Sequence, residues 1–359
     1  MKICVYAISK NEENFVLRWV NSMKEADEIY VLDTGSTDNT VKTLQELGVN
    51  VTQKIISPWR FDTARNESLK LVPNDTDICI CTDLDEIFIP GWRKQLEEQW
   101  TKNTTRARYN YNWSLDKNNK PIVNFNIDKI HTRHNYKWKH PVHEVLSYEK
   151  NNENIITLEN VTLNHYPDKT KSRSSYLPLL ELSVKEDPED DRNMHYLGRE
   201  YMYYGKWDKA ITTLKKHLSL KKATWKDERA ASMRFISRCY KNLNNYKEAR
   251  EYLNYAIKEA PYLRDAYVER AILEYEQNNF QEVEKYCLKA LKITTHEKTY
   301  INESFSWDYT IYDLLAISCY YQEKYNYAVY FNNLALEMDK ENERLNKNHQ
   351  IYLDKEKVS

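Results

Sequence analysis

The chain of 359 residues holds only five glycines, and neither a G-x-G-x-x-G turn nor a G-x-x-x-x-G-K-[S/T] loop occurs in it. Two common ways of cradling nucleotide phosphates on backbone N–H groups are thereby excluded. Cysteine is sparse too. Cys4, Cys79, Cys81, Cys239, Cys287 and Cys319 lie in apolar segments and form no C-x-x-C pair, which argues for buried thiols in a reducing compartment and against a disulfide or zinc framework. Cys79 and Cys81 alternate and should share one face of a strand. A surplus of charge is missing as well: Lys+Arg number 53 against Asp+Glu 54, a net charge of -1. There is no general basic field for a nucleic acid or an anionic membrane. No stretch approaches the roughly 20 apolar residues that span a bilayer. The opening run Ile3–Ile8 is too short for a signal-peptide core and has no small-residue cleavage site. These absences predict a globular, cytoplasmic protein with no transmembrane segment and no nucleic-acid partner.

What is present divides by pattern. Ile3–Ile8, Glu28–Leu32, Val49–Ile56 and Asp77–Cys81 read as strands. Between them lie helical patterns: Glu13–Met23, with Phe15, Leu17, Val20 and Met23 facing inward, a second capped by Ser36 or Thr37 and ended by Gly48, and Thr63–Leu71. Strands alternating with helices predict a mostly parallel α/β sheet with helices on both faces. From Arg106 to Val161 the helix pattern fails and shorter aromatic-rich segments are expected, a region suited to acceptor recognition.

Beyond Ser172 the chain reads as nearly all helical and repetitive. Trp207/Ala210, Tyr246/Ala249, Phe280/Val283 and Tyr325/Ala328 recur as an aromatic followed by a small or branched residue, with His217, Ala256, Ala290 and Ala335 seven residues further on. The anchors are separated by 39, 34 and 45 residues; one interval matches the tetratricopeptide period and two carry insertions. The expected organisation is an α/β domain at 1–170, a connecting helix at 171–192, an all-α tetratricopeptide-like solenoid at 193–345 and a polar tail at 346–359.

Ligands of open α/β sheets bind outside the carboxyl ends of the strands, and polar clusters follow three of the four strands here. They are Ser9-Lys10-Asn11-Glu12, Asp33-Thr34-Gly35-Ser36-Thr37-Asp38 and Thr82-Asp83-Leu84-Asp85-Glu86. Asp83 and Asp85, two apart at a strand end, can point the same way, a repulsion that a hard divalent cation or a donor cluster relieves. Carboxylate oxygens favour Mg²⁺ or Mn²⁺ over zinc. Such an ion can bridge a diphosphate and neutralise charge on a departing phosphate. His131, His134, His140 and His143 have no spacing that closes a zinc site. Trp59, Trp113 and Trp138 are candidates for a sugar-stacking wall, or for the core.

Residues 1–170 resemble a family 2 glycosyltransferase of the GT-A fold. The resemblance is carried, in order, by Ile29-Tyr30-Val31-Leu32-Asp33-Thr34-Gly35-Ser36-Thr37-Asp38, Phe61-Asp62-Thr63-Ala64-Arg65-Asn66 and Asp83-Leu84-Asp85-Glu86. Joined to tetratricopeptide-like helices, it is similar in architecture to a bacterial subgroup that includes the sublancin S-glycosyltransferase. The resemblance implies a nucleotide-sugar site in which Asp33 meets the uracil ring, Arg65 the base or diphosphate, Asp83 the nucleoside, and Asp85 a Mn²⁺ or Mg²⁺ ion. Asn11, after the first strand, joins the donor-binding set. For the general base it implies Glu144, within Lys139-His140-Pro141-Val142-His143-Glu144, although the family's frequent Glu-Asp pair is absent. His165, within Leu163-Asn164-His165-Tyr166, would complete the metal sphere. The function implied is metal-dependent, inverting transfer from a UDP-linked sugar to an acceptor. The repeats offer a surface for a protein or peptide acceptor, or for joining two copies as a homodimer. The rival reading is a repeat-based binding protein with a retired glycosyltransferase domain; the survival of Asp33, Arg65, Asp83 and Asp85 favours the enzyme.

Overall fold

The computed structural model describes residues 1–116, 118–168 and 174–358, so the expected boundary at 170/171 lies outside the described residues. The chain separates into two compact units, Met1–Glu186 and Asp187–Ser359.

The first unit runs β1 (Ile3–Ser9), α1 (Glu13–Met23), β2 (Glu28–Asp33), α2 (Thr40–Glu46), β3 (Asn50–Gln53), α3 (Phe61–Leu71), β4 (Ile78–Cys81), β5 (Glu86–Phe88), α4 (Trp92–Gln99), β6 (Arg106–Leu115), β7 (Pro121–Thr132), β8 (Tyr136–Lys139), β9 (Val145–Tyr148), β10 (Ile155–His165) and α5 (Tyr176–Glu186). Eight strands form one sheet in the order β3-β2-β1-β4-β7-β6-β10-β5, and β8 pairs with β9. The first four are mutually parallel, β7 is antiparallel to β4 and β6, and β5 is antiparallel to β10. β1 explains why the parallel half is central. Ile3, Val5 and Ala7 pack on one face with Val16, Trp19 and Met23. Cys4 and Tyr6 pack on the other with Cys79, Cys81 and Trp138. A strand apolar on both faces needs cover on both.

Cys79 and Cys81 share one face, as their alternation implied, and all six cysteines are free and buried. α1 buries Val16, Trp19, Val20 and Met23, whereas Leu17 is exposed; the 3.6-residue stripe through 16, 20 and 23 leaves 17 on the far side. α2 starts at Thr40, later than expected, with Asp38 Oδ1 accepting from Thr40 N at 3.0 Å.

The region expected to hold short segments instead holds the long strands β6, β7 and β10, of 10, 12 and 11 residues. Their polar face hid the alternation. Asn124 Nδ2 donates to Asn110 Oδ1 (2.8 Å) and Asn112 Oδ1 (2.6 Å), and Asn112 Nδ2 to Asn164 Oδ1 (2.7 Å). Amides that satisfy one another this way allow a polar residue at a packed position.

The second unit comprises α6 (Asp191–Tyr203), α7 (Trp207–Ser219), α8 (Lys226–Asn242), α9 (Tyr246–Glu259), α10 (Asp265–Glu276), α11 (Phe280–Leu291), α12 (Thr310–Tyr321), α13 (Tyr325–Met338) and α14 (Glu343–Glu356). Each aromatic anchor of the repeat opens the second helix of a pair: Trp207, Tyr246, Phe280 and Tyr325 begin α7, α9, α11 and α13. Ala210, Ala249, Val283 and Ala328, and seven residues on His217, Ala256, Ala290 and Ala335, are all fully buried. At all of these positions but His217, small or branched side chains let paired helices approach. Gly198 marks the tightest approach, since a Cβ would lie 2.5 Å from Leu214 Cγ. The expected polar tail from 346 is largely helical: α14 buries Leu345 and Tyr352 on one stripe. Among the described residues no helix is long and apolar enough to cross a membrane.

Candidate active site

Adjacent strands β2, β1 and β4 end together, and their exit loops interlock. Asp33, fully buried at the end of β2, accepts from Gly35 N (3.1 Å) and Ser36 N (3.0 Å) on Oδ1, and from Ser9 Oγ (3.1 Å) and Ser36 Oγ on Oδ2. Both lone pairs of both oxygens are engaged. Asp33 therefore builds the turn. Gly35 permits that turn at φ +111°, where a Cβ would sit 2.7 Å from Ile55 Cδ1. Asn11 clamps the loop after β1 to this turn: its N–H donates to Ser36 Oγ (2.8 Å) and its Oδ1 accepts from Thr37 N (2.7 Å). Asn11, expected in the donor-binding set, spends its side-chain oxygen on this clamp.

Arg65, Asp83 and Glu144, far apart in sequence, meet in one ladder of charge. Arg65 projects from α3; its Nε donates to Glu144 Oε1 and its Nη2 to Asp83 Oδ1 (2.8 Å) and Oδ2 (3.1 Å). Lys129, on β7, continues the ladder with Nζ at 3.4 Å from both Asp83 Oδ2 and Glu86 Oε1. Tyr111 closes it by donating to Glu86 Oε1 (2.7 Å). Burial alone raises the Asp83 carboxyl, but Arg65 and then Lys129 outweigh it and hold the group well below the ordinary carboxylate range. Glu86 goes the other way: burial dominates and its pKa is raised. The Asp83 side chain nevertheless keeps 35% of its surface accessible, so its outer edge can meet a ligand.

A tight turn sets Asp85 apart from this ladder. Asp83 N donates to Glu86 Oε2 (2.9 Å) and Glu86 N to Asp83 O (3.0 Å). Tyr166 N donates to Asp85 O at 2.8 Å, docking the turn against the end of β10. His165, the last residue of β10, places Nε2 3.3 Å from Asp85 Oδ2 while Nδ1 lies 3.0 Å from Trp113 O. A carbonyl can only accept, so Nδ1 carries a proton; with a second proton on Nε2 the ring donates to Asp85 Oδ2, and without it Nε2 offers the lone pair that a metal ion would take. Burial lowers the His165 pKa, but the hydrogen bond and charge of Asp85 and the Trp113 carbonyl outweigh it, and the imidazole is more basic than usual. Trp113 stacks on the His165 ring at 4.5 Å and 22° and is about half exposed.

These two atoms fit a divalent ion. Cis ligands about 2.1 Å from one ion lie roughly 3 Å apart, close to the observed separation. Among the described residues no group of three or more His, Cys, Asp and Glu side chains could hold a metal by itself, so further ligands would have to come from water or a bound diphosphate. The loop 140–144 that delivers Glu144 is strained, with His140 at φ 80° and His143 at φ 50°. It is tied to α3 by Phe61 N donating to Pro141 O at 2.9 Å.

Of the three tryptophans, Trp113 alone borders Asp85 and His165. Trp138 is a core residue whose Nε1 donates to Tyr6 Oη at 2.8 Å, and Trp59 packs edge-on against Phe61. His131 is buried, hydrogen-bonded to Tyr6 and Thr132, and depressed by burial to about 3. Lys129 escaped the sequence reading because its strand did.

Residues 4–148 match the family described as "Glycosyl transferase family 2", and the N-terminal unit thus carries a domain of that family; His165 lies beyond the matched span. Uncharacterized glycosyltransferases of Rickettsia conorii and Rickettsia typhi are each 44% identical to the chain over 59 residues, 16% of this chain and 20% and 19% of theirs. The chain thus spans about a fifth of the length of these curated relatives. Among solved structures, MamA is 18% identical over 49% of this chain and 96% of its own, with a TM-score of 0.39. YrrB, described as a TPR protein with an unusual peptide-binding site, is 12% identical over 50% of this chain and 84% of its own, with a TM-score of 0.40.

Proposed function

We propose that the N-terminal unit is a metal-dependent, inverting glycosyltransferase that takes its sugar from a UDP-linked donor, with a protein or peptide acceptor bound through the repeats. One observation carries this reading: a single guanidinium, Arg65, holds both Glu144 and Asp83 beside a turn that presents Asp85 to His165. Four carboxylates (Glu144, Asp83, Asp85, Glu86) face two fixed cations (Arg65, Lys129) there. The deficit of positive charge suits a site that receives a cation.

In this reading Asp85 Oδ2 and His165 Nε2 would hold Mn²⁺ or Mg²⁺, which supplies neutralisation of the departing diphosphate when bound. Asp83, with its outer edge accessible, orients the nucleoside. Arg65 fixes Asp83 and divides its charge between two carboxylates, so that neither is fully neutralised. Glu144 takes the proton from the acceptor nucleophile, which attacks the anomeric carbon from the side opposite the leaving group. Asp33 and Asn11 hold the floor of the nucleoside pocket, and Trp113 offers a face for the sugar or the acceptor.

The test is a screen of nucleotide sugars with Mn²⁺, scored by release of the nucleoside diphosphate. Turnover with a uridine-linked sugar, lost in Glu144→Gln with donor binding retained, is the expected result. Absence of turnover and of binding for every donor would leave the retired-enzyme reading.

A further inference from the structure

The longest repeat interval contains residues 292–309, between α11 and α12, with a single 3-10 turn at Ser304–Ser306. This insert lies against the first helices of three successive pairs. The Tyr300 ring sits 6.0 Å from Tyr196 of α6 and 5.5 Å from Trp225 at the start of α8, and its hydroxyl donates to Glu228. Arg234 Nη2 of α8 donates to Ile301 O at 2.9 Å. The Glu303 carboxylate accepts from Arg238 Nη2 at 2.6 Å, while Glu303 N donates to Asp265 Oδ1 of α10 at 2.7 Å. Ser306 Oγ bonds the same Asp265 oxygen at 3.2 Å, and Phe305 packs on the cluster around Val268 and Ala271.

Helix side chains thus grip both the backbone and the side chains of an irregular segment, which is how a repeat array holds an extended peptide. The surface continues past the insert. A cavity of about 480 Å³ adjoins Glu303 and Phe305, with Met202, Trp207, Leu253 and Ile272 as apolar lining and Arg238 and Lys241 as cations.

We infer that this face is a peptide-binding site whose resident ligand is the chain's own insert. Its external partner is a peptide carrying a carboxylate two residues before an aromatic side chain, the pattern of Glu303-Ser304-Phe305. The inference stands whether or not the first unit transfers sugar. Arg238 and Arg234 recognise the carboxylate, and the Val268/Ala271 cluster takes the ring. A tethered segment competes at about millimolar effective concentration, so a peptide of micromolar intrinsic affinity is weakened about 10²–10³-fold until the insert is displaced.

The experiment titrates the full chain with a fluorescein-labelled peptide copying residues 299–308, read by anisotropy. A Glu303→Ala/Phe305→Ala double variant should bind the peptide at least about tenfold more tightly than wild type, and adding Arg238→Glu should abolish that gain. Hydrogen exchange on wild type is the second measurement, independent of whether the variant folds: saturating peptide should speed exchange of the amides at 299–306. A folded double variant that binds no peptide or binds it no better than wild type, or an insert whose exchange saturating peptide leaves unchanged, would overturn the inference.

Discussion

In the first unit the alternating charges Glu144, Arg65, Asp83, Lys129 and Glu86 all come from strands, helices and connecting loops of the α/β scaffold itself. In the second, Arg234, Arg238, Glu269 and Asp265 lie on helices, but the last carboxylate, Glu303, arrives on an insert. Both clusters hold three carboxylates and two cations. They differ in what surrounds them. The first is fixed by its scaffold and adjoins a further carboxylate, Asp85, whose partner is a titratable imidazole. The second is closed by a piece of loop that the helices treat as a ligand. A charge cluster completed by the scaffold is poised for something from outside, whereas one completed by an insert already holds its occupant.

The largest expected effect belongs to the first cluster's outer edge. Asp85→Ala should lower transfer about 10²–10³-fold while leaving the melting temperature near wild type, because Asp85 lies outside the ladder. A large loss of stability would make it part of the ladder and break the contrast.

Next is Arg65→Met, which strands Glu144 and Asp83 without their shared partner. Arg65 and Glu144 are nearly inaccessible, and removing one member of such a group costs about 3 kcal/mol, to be read from urea denaturation.

Smaller again is the pH dependence. The Asp83 pKa is depressed in the folded state, so its contribution to stability is complete above about pH 4 and is withdrawn as pH falls below that value. Wild type should therefore lose more stability on acidification than Asp83→Asn, in melting curves across pH 3–6. Parallel curves would show that Arg65 does not hold the carboxylate as described.

A comparable or smaller effect falls in the second unit. Gly198→Ala forces a methyl into Leu214 and should cost about 1–3 kcal/mol by overpacking, measurable as a lowered melting temperature.

The helix pairs were legible in sequence because Ala210, Ala249, Val283 and Ala328 must be small wherever two helices touch. The strand-end loops were legible for a related reason: Asp33, Asp83 and Asp85 follow buried strands directly, and the carboxyl ends of such strands are where an open α/β sheet meets its ligands. β6, β7 and β10 were not, because Asn110, Asn112, Asn124 and Asn164 satisfy one another across strands. That satisfaction exists only once the strands are paired. Lys129 was lost with them. The four bonds that occupy Asp33 likewise depend on a turn geometry that spacing alone does not specify. Glu144 and Arg65 could be named separately from the sequence, but only the fold shows them joined.

The central claim is that Asp85 and His165 form a cation-dependent donor site. Titration calorimetry of UDP into the protein with Mn²⁺ and with excess chelator tests it most directly, alongside Asp85→Ala and His165→Ala. The account predicts binding with Mn²⁺, a loss of at least about tenfold with chelator, and the same loss in both variants whether Mn²⁺ is present or not. Equal affinity for UDP with Mn²⁺, with chelator and in Asp85→Ala would contradict it.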